Sequence, residues 1–138
     1  MSRAFWRLCV RSDFSAAHAL RHYRGKCENP HGHNFLVEAV VEGDSLTPDT
    51  ELLVDFAVLK ADLKAVLDTL DHKDLNATPP FDRINPSSEN LARHIFQGLA
   101  PLVATCGVRL HSVSVGEKAA QSATYFEIGA PPQAPQGD

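Results

Sequence analysis

Several things are scarce in this chain, and each scarcity narrows what it can be. Its three cysteines, Cys9, Cys27 and Cys106, are irregularly spaced and form no CxxC pair, so no disulfide scaffold is encoded. A reducing cytoplasm is the expected compartment. No stretch free of Asp, Glu, Lys and Arg approaches the roughly 20 apolar residues that cross a bilayer. Arg3, Arg7 and Arg11 break up the first residues, so neither a membrane span nor a secretory leader is expected. Basic residues are few: 13 Lys+Arg against 17 Asp+Glu leave a formal net charge of −4. The cations form no runs, so the chain lacks the footprint of a phosphate-backbone binder, and nucleic acid is not an expected partner. What is present is 43% apolar content in 138 residues, a length at which roughly two-thirds of the unfolded surface is buried on folding. One soluble domain can then build its core without a structural metal, and any metal bound is expected to serve function.

The periodicity alternates between two and 3.6. Residues Ala4 to His18 read as a strand, apolar and aromatic from Phe5 to Val10 and continuing through Phe14 and Ala16. After a polar loop containing Gly25, Asn29 and Pro30, His33 to Val41 alternates again with Phe35, Val37, Ala39 and Val41 on one side, and Gly43 ends it. Leu59, Leu63, Val66, Leu67 and Leu70 form an amphipathic helical stripe with Asp55 as its N-cap, stopping near Asp71 to His72. Pro79 and Pro80 enforce a loop, and Pro86-Ser87-Ser88-Glu89 starts a second helix whose buried stripe is Leu91, Ile95, Leu99, Leu102 and Val103. Val108 to Lys118 and Ala123 to Ile128 close the chain as a hairpin. The order ββααββ predicts an α+β fold, a four-stranded antiparallel sheet with two helices on one face. Residues 1–129 are expected to form this single domain, and 130–138, with Pro131, Pro132 and Pro135, a disordered tail.

Chemistry concentrates around histidine. His31-Gly32-His33 opens the second strand, and two strand residues apart their side chains share a face, with Cα atoms about 6–7 Å apart. His18 ends the preceding strand, so pairing of the two strands can bring a third nitrogen. Three imidazoles with an open fourth position make a catalytic zinc site, although the same donors suit other divalent ions. HxH alone is weak evidence, since such pairs are common on surfaces. Its company is more telling. Cys27 lies four residues before His31 in a polar stretch, where a thiol near a cation and an imidazole can serve as a general base. Asp71-His72 follows the first helix, an unfavourable end for a carboxylate on electrostatic grounds alone.

Taken together, Phe14-Ser15-Ala16-Ala17-His18, Gly25-Lys26-Cys27, His31-Gly32-His33-Asn34, Val54-Asp55-Phe56, Leu70-Asp71-His72, Pro86-Ser87-Ser88-Glu89-Asn90 and Glu117 resemble the 6-pyruvoyl-tetrahydropterin synthase family. The likeness is greatest to its bacterial 6-carboxy-tetrahydropterin synthase branch, in queuosine and 7-deazapurine synthesis. The resemblance implies the tunnelling fold, with trimeric barrels stacked as a hexamer and active sites at subunit interfaces. It implies that His18, His31 and His33 bind zinc, that Cys27 abstracts a proton, that Asp71 and His72 form its relay, and that Glu117 anchors the pterin and joins the relay. A carboxylate suits that anchor because it can accept two parallel N–H bonds from the pyrimidinone edge. Ser87 and Ser88 are first of all capping residues and secondarily contacts to the pterin. His22, His94 and His111 match no ligand position.

The implied activity is a zinc-dependent lyase reaction that converts 7,8-dihydroneopterin triphosphate to 6-carboxy-tetrahydropterin, acetaldehyde and triphosphate. Only Glu28, Asn29 and Pro30 separate Cys27 from His31, a short spacing that fits the bacterial branch. The turn Lys118-Ala119-Ala120-Gln121-Ser122 departs from the family's Thr-containing turn. Glu28 supports a rival, folate-directed formation of 6-hydroxymethyl-dihydropterin. 6-Pyruvoyl-tetrahydropterin formation is a second rival, and a non-catalytic metal or pterin-binding module a third.

Overall fold

A computed structural model describes residues 2–24 and 31–129, with His31 described through its backbone alone. The expected tail at 130–138 lies outside these residues. The elements are β1 (Trp6–His18), β2 (His31–Gly43), α1 (Phe56–Leu67), β3 (Lys73–Asp74), α2 (Ser88–Ala104), β4 (Arg109–Lys118) and β5 (Gln121–Tyr125), with a 3-10 turn, Leu75–Ala77, after β3. No helix among the described residues is long and apolar enough to cross a membrane.

The sheet order is β3-β1-β2-β4-β5. β1, β2, β4 and β5 pair antiparallel in succession, which is the expected four-stranded arrangement. A fifth strand is added: β3 runs parallel to β1 beside Ala16 and Ala17. Two residues carry no readable period, so the sequence pattern could not announce it.

One face of the sheet builds the core. Val10, Phe14 and Ala16 of β1, Phe35, Val37, Ala39 and Val41 of β2, and Val113 and Val115 of β4 are all buried against the helices. Phe14 and Phe35 are cross-strand partners with stacked rings 4.9 Å apart, each side chain contributing about 1.5–3 kcal/mol through burial. The stripe of α1 is buried throughout, including Leu70 just beyond the helix. In α2, Leu91, Ile95, Leu99 and Val103 are buried, whereas Leu102 is 36% exposed. It borders the open groove where Gly98 faces Val66 of α1 without a side chain of its own. The other sheet face is polar: Glu42 bridges Arg7 and Arg109, and Arg11 pairs with Glu38, each contact 2.8 Å.

Both predicted caps form. Asp55 accepts from the Ala57 N–H at 2.8 Å, and Ser87 from the Asn90 N–H at 3.1 Å. α1 ends at Leu67, earlier than the expected Asp71 to His72. Beyond it the N–H groups of Thr69 and Leu70 bond three residues back to Val66 and Leu67, and the Thr69 hydroxyl also donates to the Val66 carbonyl at 2.6 Å. A side chain competing for the helix carbonyls tightens the last turn. Asp71 and His72 are thereby released to run along β1.

Gly116 of β4 sits where β5 crosses closely after a register shift. A methyl group there would collide with the Gln121 carbonyl, and backbone cannot yield as a flexible side chain does. Gly116→Ala should therefore cost about 1–3 kcal/mol, measured by urea denaturation. It should also displace its neighbour Glu117. Unchanged stability would show that the hairpin is not tightly packed at this point.

Candidate metal centre

The site lies where the buried face of the sheet reaches its end. Side chains alternate across a strand, so His18 continues the inward row of Phe14 and Ala16, and His33 the row of Phe35 and Val37. Glu117 continues the row of Val113 and Val115. The register sets Ala16 opposite His33 and His18 opposite His31, and carries Val37 opposite Val115. Three strands thus bring their polar ends together over the Phe35 ring, which His18 meets edge-on at 4.9 Å.

The His18 Nε2 atom is 2.8 Å from Glu117 Oε1, and His33 Nε2 is 3.3 Å from Glu117 Oε2. His18, His33 and Glu117 offer ligand atoms that all lie within 4.8 Å of one another. His18 is 3% exposed. Its Nδ1 lies 3.2 Å from the Pro86 carbonyl and its Nε2 faces the Glu117 carboxylate, so both ring nitrogens meet acceptors. A neutral imidazole cannot donate to both acceptors. A doubly protonated ring satisfies both acceptors, and so does a neutral ring that donates from Nδ1 while a metal ion lies between Nε2 and the carboxylate. A metal-binding histidine whose other nitrogen donates to a backbone carbonyl is the usual arrangement, so these residues fit a divalent cation.

The other predicted residues are placed as follows. Asp71 Oδ1 accepts from the Ser15 N–H at 2.9 Å, and the His72 N–H donates to the Ser15 carbonyl at 2.6 Å. Both residues therefore lie along the edge of β1 away from β2. His72 has φ 58°, a left-handed conformation that non-glycine residues adopt at a cost. Its ring is 82% exposed and 3.5 Å from Asp71 Oδ2. It lines the same recess, about 530 Å³, as His33, Ser15, Asn34 and Lys73, but it is not in the donor cluster. Ser87 caps α2 and Ser88 begins it. Cys27 and Glu28 lie outside the described residues.

Residues 7–127 match the 6-pyruvoyl tetrahydropterin synthase family. The chain belongs to that family. The 6-carboxy-5,6,7,8-tetrahydropterin synthase of Synechocystis sp. is 38% identical over 126 residues, 88% of this chain and 93% of its own. A putative 6-pyruvoyl tetrahydrobiopterin synthase of Caenorhabditis elegans is 33% identical over 125 residues, 81% of this chain and 88% of its own. The solved structure of Caenorhabditis elegans 6-pyruvoyl tetrahydropterin synthase superposes with a TM-score of 0.80 at 28% identity, covering 93% of this chain and 99% of that one.

In this member of the family, two features of the centre escaped the sequence reading. The Pro86 carbonyl has no side-chain signature. Glu117 was expected to anchor the pterin and join the relay, and its carboxylate also sits between the two imidazoles. The available signal was its place two residues after Val115, a carboxylate extending an apolar stripe. The remaining groups do other work. His94 packs edge-on against Phe81 at 5.1 Å, and burial lowers its pKa, which favours the neutral ring. Burial first, and then the Glu38 charge, push the Cys9 thiol up, so it is a poor base.

Metal-stripped protein titrated with zinc should bind about one ion per chain, with a rise in thermal midpoint. The His18→Ala/His33→Ala double variant should lose this uptake while keeping the far-UV circular dichroism of the parent. His33→Gln, at a half-exposed position, serves as the milder second test. Full uptake by either folded variant would overturn the assignment.

Proposed function

We propose that this chain is a zinc-dependent 6-carboxy-5,6,7,8-tetrahydropterin synthase. It would convert 7,8-dihydroneopterin triphosphate to 6-carboxytetrahydropterin, acetaldehyde and triphosphate in queuosine and 7-deazapurine biosynthesis. The observation that carries this reading is the convergence of His18, His33 and Glu117 within 4.8 Å, with His31 opposite His18 in register. The Synechocystis relative, 38% identical over 88% of this chain, supports the choice of product.

In this mechanism His18, His31 and His33 hold the metal. When bound, zinc supplies Lewis-acid stabilisation of charge that develops on substrate oxygens. The Cys27 thiolate removes a carbon-bound proton, and His72, oriented by Asp71, takes and returns protons at its ring nitrogens. The Glu117 carboxylate accepts from the 2-amino-pyrimidinone edge of the pterin, so one group links substrate position to the metal centre. Ser87 and Ser88 border the same end of the sheet and contact the pterin through their backbone.

The competing products follow from neighbouring residues. The 33% identity to the putative 6-pyruvoyl tetrahydrobiopterin synthase keeps 6-pyruvoyl-tetrahydropterin as the second reading. Incubation with dihydroneopterin triphosphate should yield mainly the carboxy-pterin and acetaldehyde. Cys27→Ala should slow this about 10²–10⁴-fold, the range for loss of a general base, and retain zinc. Glu28→Ala should leave the product unchanged. If Glu28→Ala removes the main product while Cys27→Ala barely alters it, folate-directed cleavage to 6-hydroxymethyl-dihydropterin replaces this reading. Absence of any turnover in zinc-loaded protein would favour a binding module.

Assembly is part of the proposal. β3 covers only Ala16 and Ala17 of β1, which leaves most of that edge open, and β5 is the edge strand on the other side. Open edges invite pairing, and head-to-tail joining of β5 to β1 would close trimeric barrels that stack as a hexamer. The active protein should elute at the mass of an oligomer; full activity from a monomer would contradict this.

A further inference from the structure

We propose that Asn85 is a positioning residue for the metal centre, acting through the Pro86 carbonyl on the ring of His18. The proposal rests on the reading of His18 as a metal ligand, and its test separates the two.

The segment that follows β1 is held by side chains from elsewhere in the chain. Two asparagine side chains grip it. Asn76 Oδ1 accepts from the Ala19 N–H at 2.8 Å, while its Nδ2 donates to the Ala19 carbonyl at 3.0 Å. Asn85 repeats the pattern two residues later: Oδ1 accepts from the Arg21 N–H at 2.9 Å and Nδ2 donates to the Arg21 carbonyl at 3.0 Å. Each amide thus completes both peptide groups of one residue, as a neighbouring strand would. The Arg21 guanidinium then reaches back to the carbonyls of Phe81 at 2.7 Å, Ile84 at 3.0 Å and Asn76 at 3.3 Å.

The two amides differ in what lies beyond them. Asn85 immediately precedes Pro86, whose carbonyl meets His18 Nδ1. The Asn85 side chain is fixed on Arg21, and its own carbonyl accepts from Asn90 Nδ2 at 2.9 Å. The proline ring locks its own φ and restricts the residue before it. On the far side, Ser87 is held in extended conformation as the N-cap of α2. With both flanks fixed, the Pro86 carbonyl has one direction in which to point. A ring of contacts closes from His18 along the chain to Arg21, across to Asn85, and through Pro86 back to His18. Asn76 makes the same number of bonds to the same segment but lies outside this ring.

The expected signature is the tautomer of His18, which a general loss of packing would not single out. In metal-stripped protein, ¹⁵N-labelled histidine should show a protected Nδ1–H signal for His18, assigned by its disappearance in His18→Gln. Asn76→Ala should keep that signal, and Asn85→Ala should lose it or show mixed tautomers. Zinc affinity, measured by competition with a chelator, should fall about 10–100-fold in Asn85→Ala, the usual cost of removing an outer-shell partner, and change far less in Asn76→Ala. Should Asn85→Ala fail to fold, Asn85→Asp keeps an acceptor for the Arg21 N–H and sets a charged oxygen in place of the donor against the Arg21 carbonyl, and it should show the same change. Retention of the ring signal and affinity in folded Asn85 variants would overturn the proposal. So would equal loss in Asn76→Ala and Asn85→Ala. If the parent protein binds no zinc, the metal reading fails, while the ring signal still decides the role of Asn85.

Discussion

The pairing register of β1 with β2 is the constraint on which core and site both depend. Phe14 opposite Phe35 stacks two rings in the interior, and the same ladder, continued toward its end, sets Ala16 opposite His33 and His18 opposite His31. Because side chains alternate with period two, a slip of β2 by one residue against β1 would send the row of His33, Phe35 and Val37 to the opposite face. The aromatic stack would be lost from the core, and His33 would leave the Glu117 carboxylate. Burial of apolar surface therefore enforces the geometry of the polar cluster. The site needs no separate folding device, because it is the end of a face that the core already specifies.

The two faces of the sheet divide the work. On the helix side, apolar rows terminate in metal-ligand donors, of which His18 is buried, 3% exposed, and His33 and Glu117 are partly exposed. There the low effective dielectric strengthens interaction with a cation. On the other side, Glu42 bridges two arginines and Glu38 pairs with a third, and these charges stay partly solvated. Glu42, hydrogen-bonded first by Arg109 and then by Arg7, has its pKa lowered, so it stays ionised at neutral pH and keeps its two cations in place. Such exposed pairs add little stability individually, but they keep the cations of that face matched.

Much of this was legible in the sequence. Period-two alternation marked β1, β2 and β4 and hence the face of His18 and His33, while the 3.6-residue stripe and hydroxyl or carboxylate caps marked both helices. The legible features are repeated over many residues. The illegible ones are single events: the two-residue β3, the early end of α1 where Thr69 competes for a carbonyl, and the Pro86 carbonyl that orients His18. The Asn76 and Asn85 amides belong to the same class, since pairing between a side chain and a distant peptide group leaves no periodic trace. Glu117 was recognised as functional through resemblance, but its partners depend on strand register, which only the folded sheet displays.

In the proposed function this cluster is a metal centre ligated by imidazoles, and the Cys27 thiol is a base and not a ligand. X-ray absorption at the zinc edge of the loaded protein tests this directly. The expected spectrum is a shell of nitrogen and oxygen scatterers with the multiple-scattering pattern of three imidazoles and no sulfur. A sulfur scatterer at about 2.3 Å, the length of a zinc–thiolate bond, would place Cys27 on the metal and contradict it.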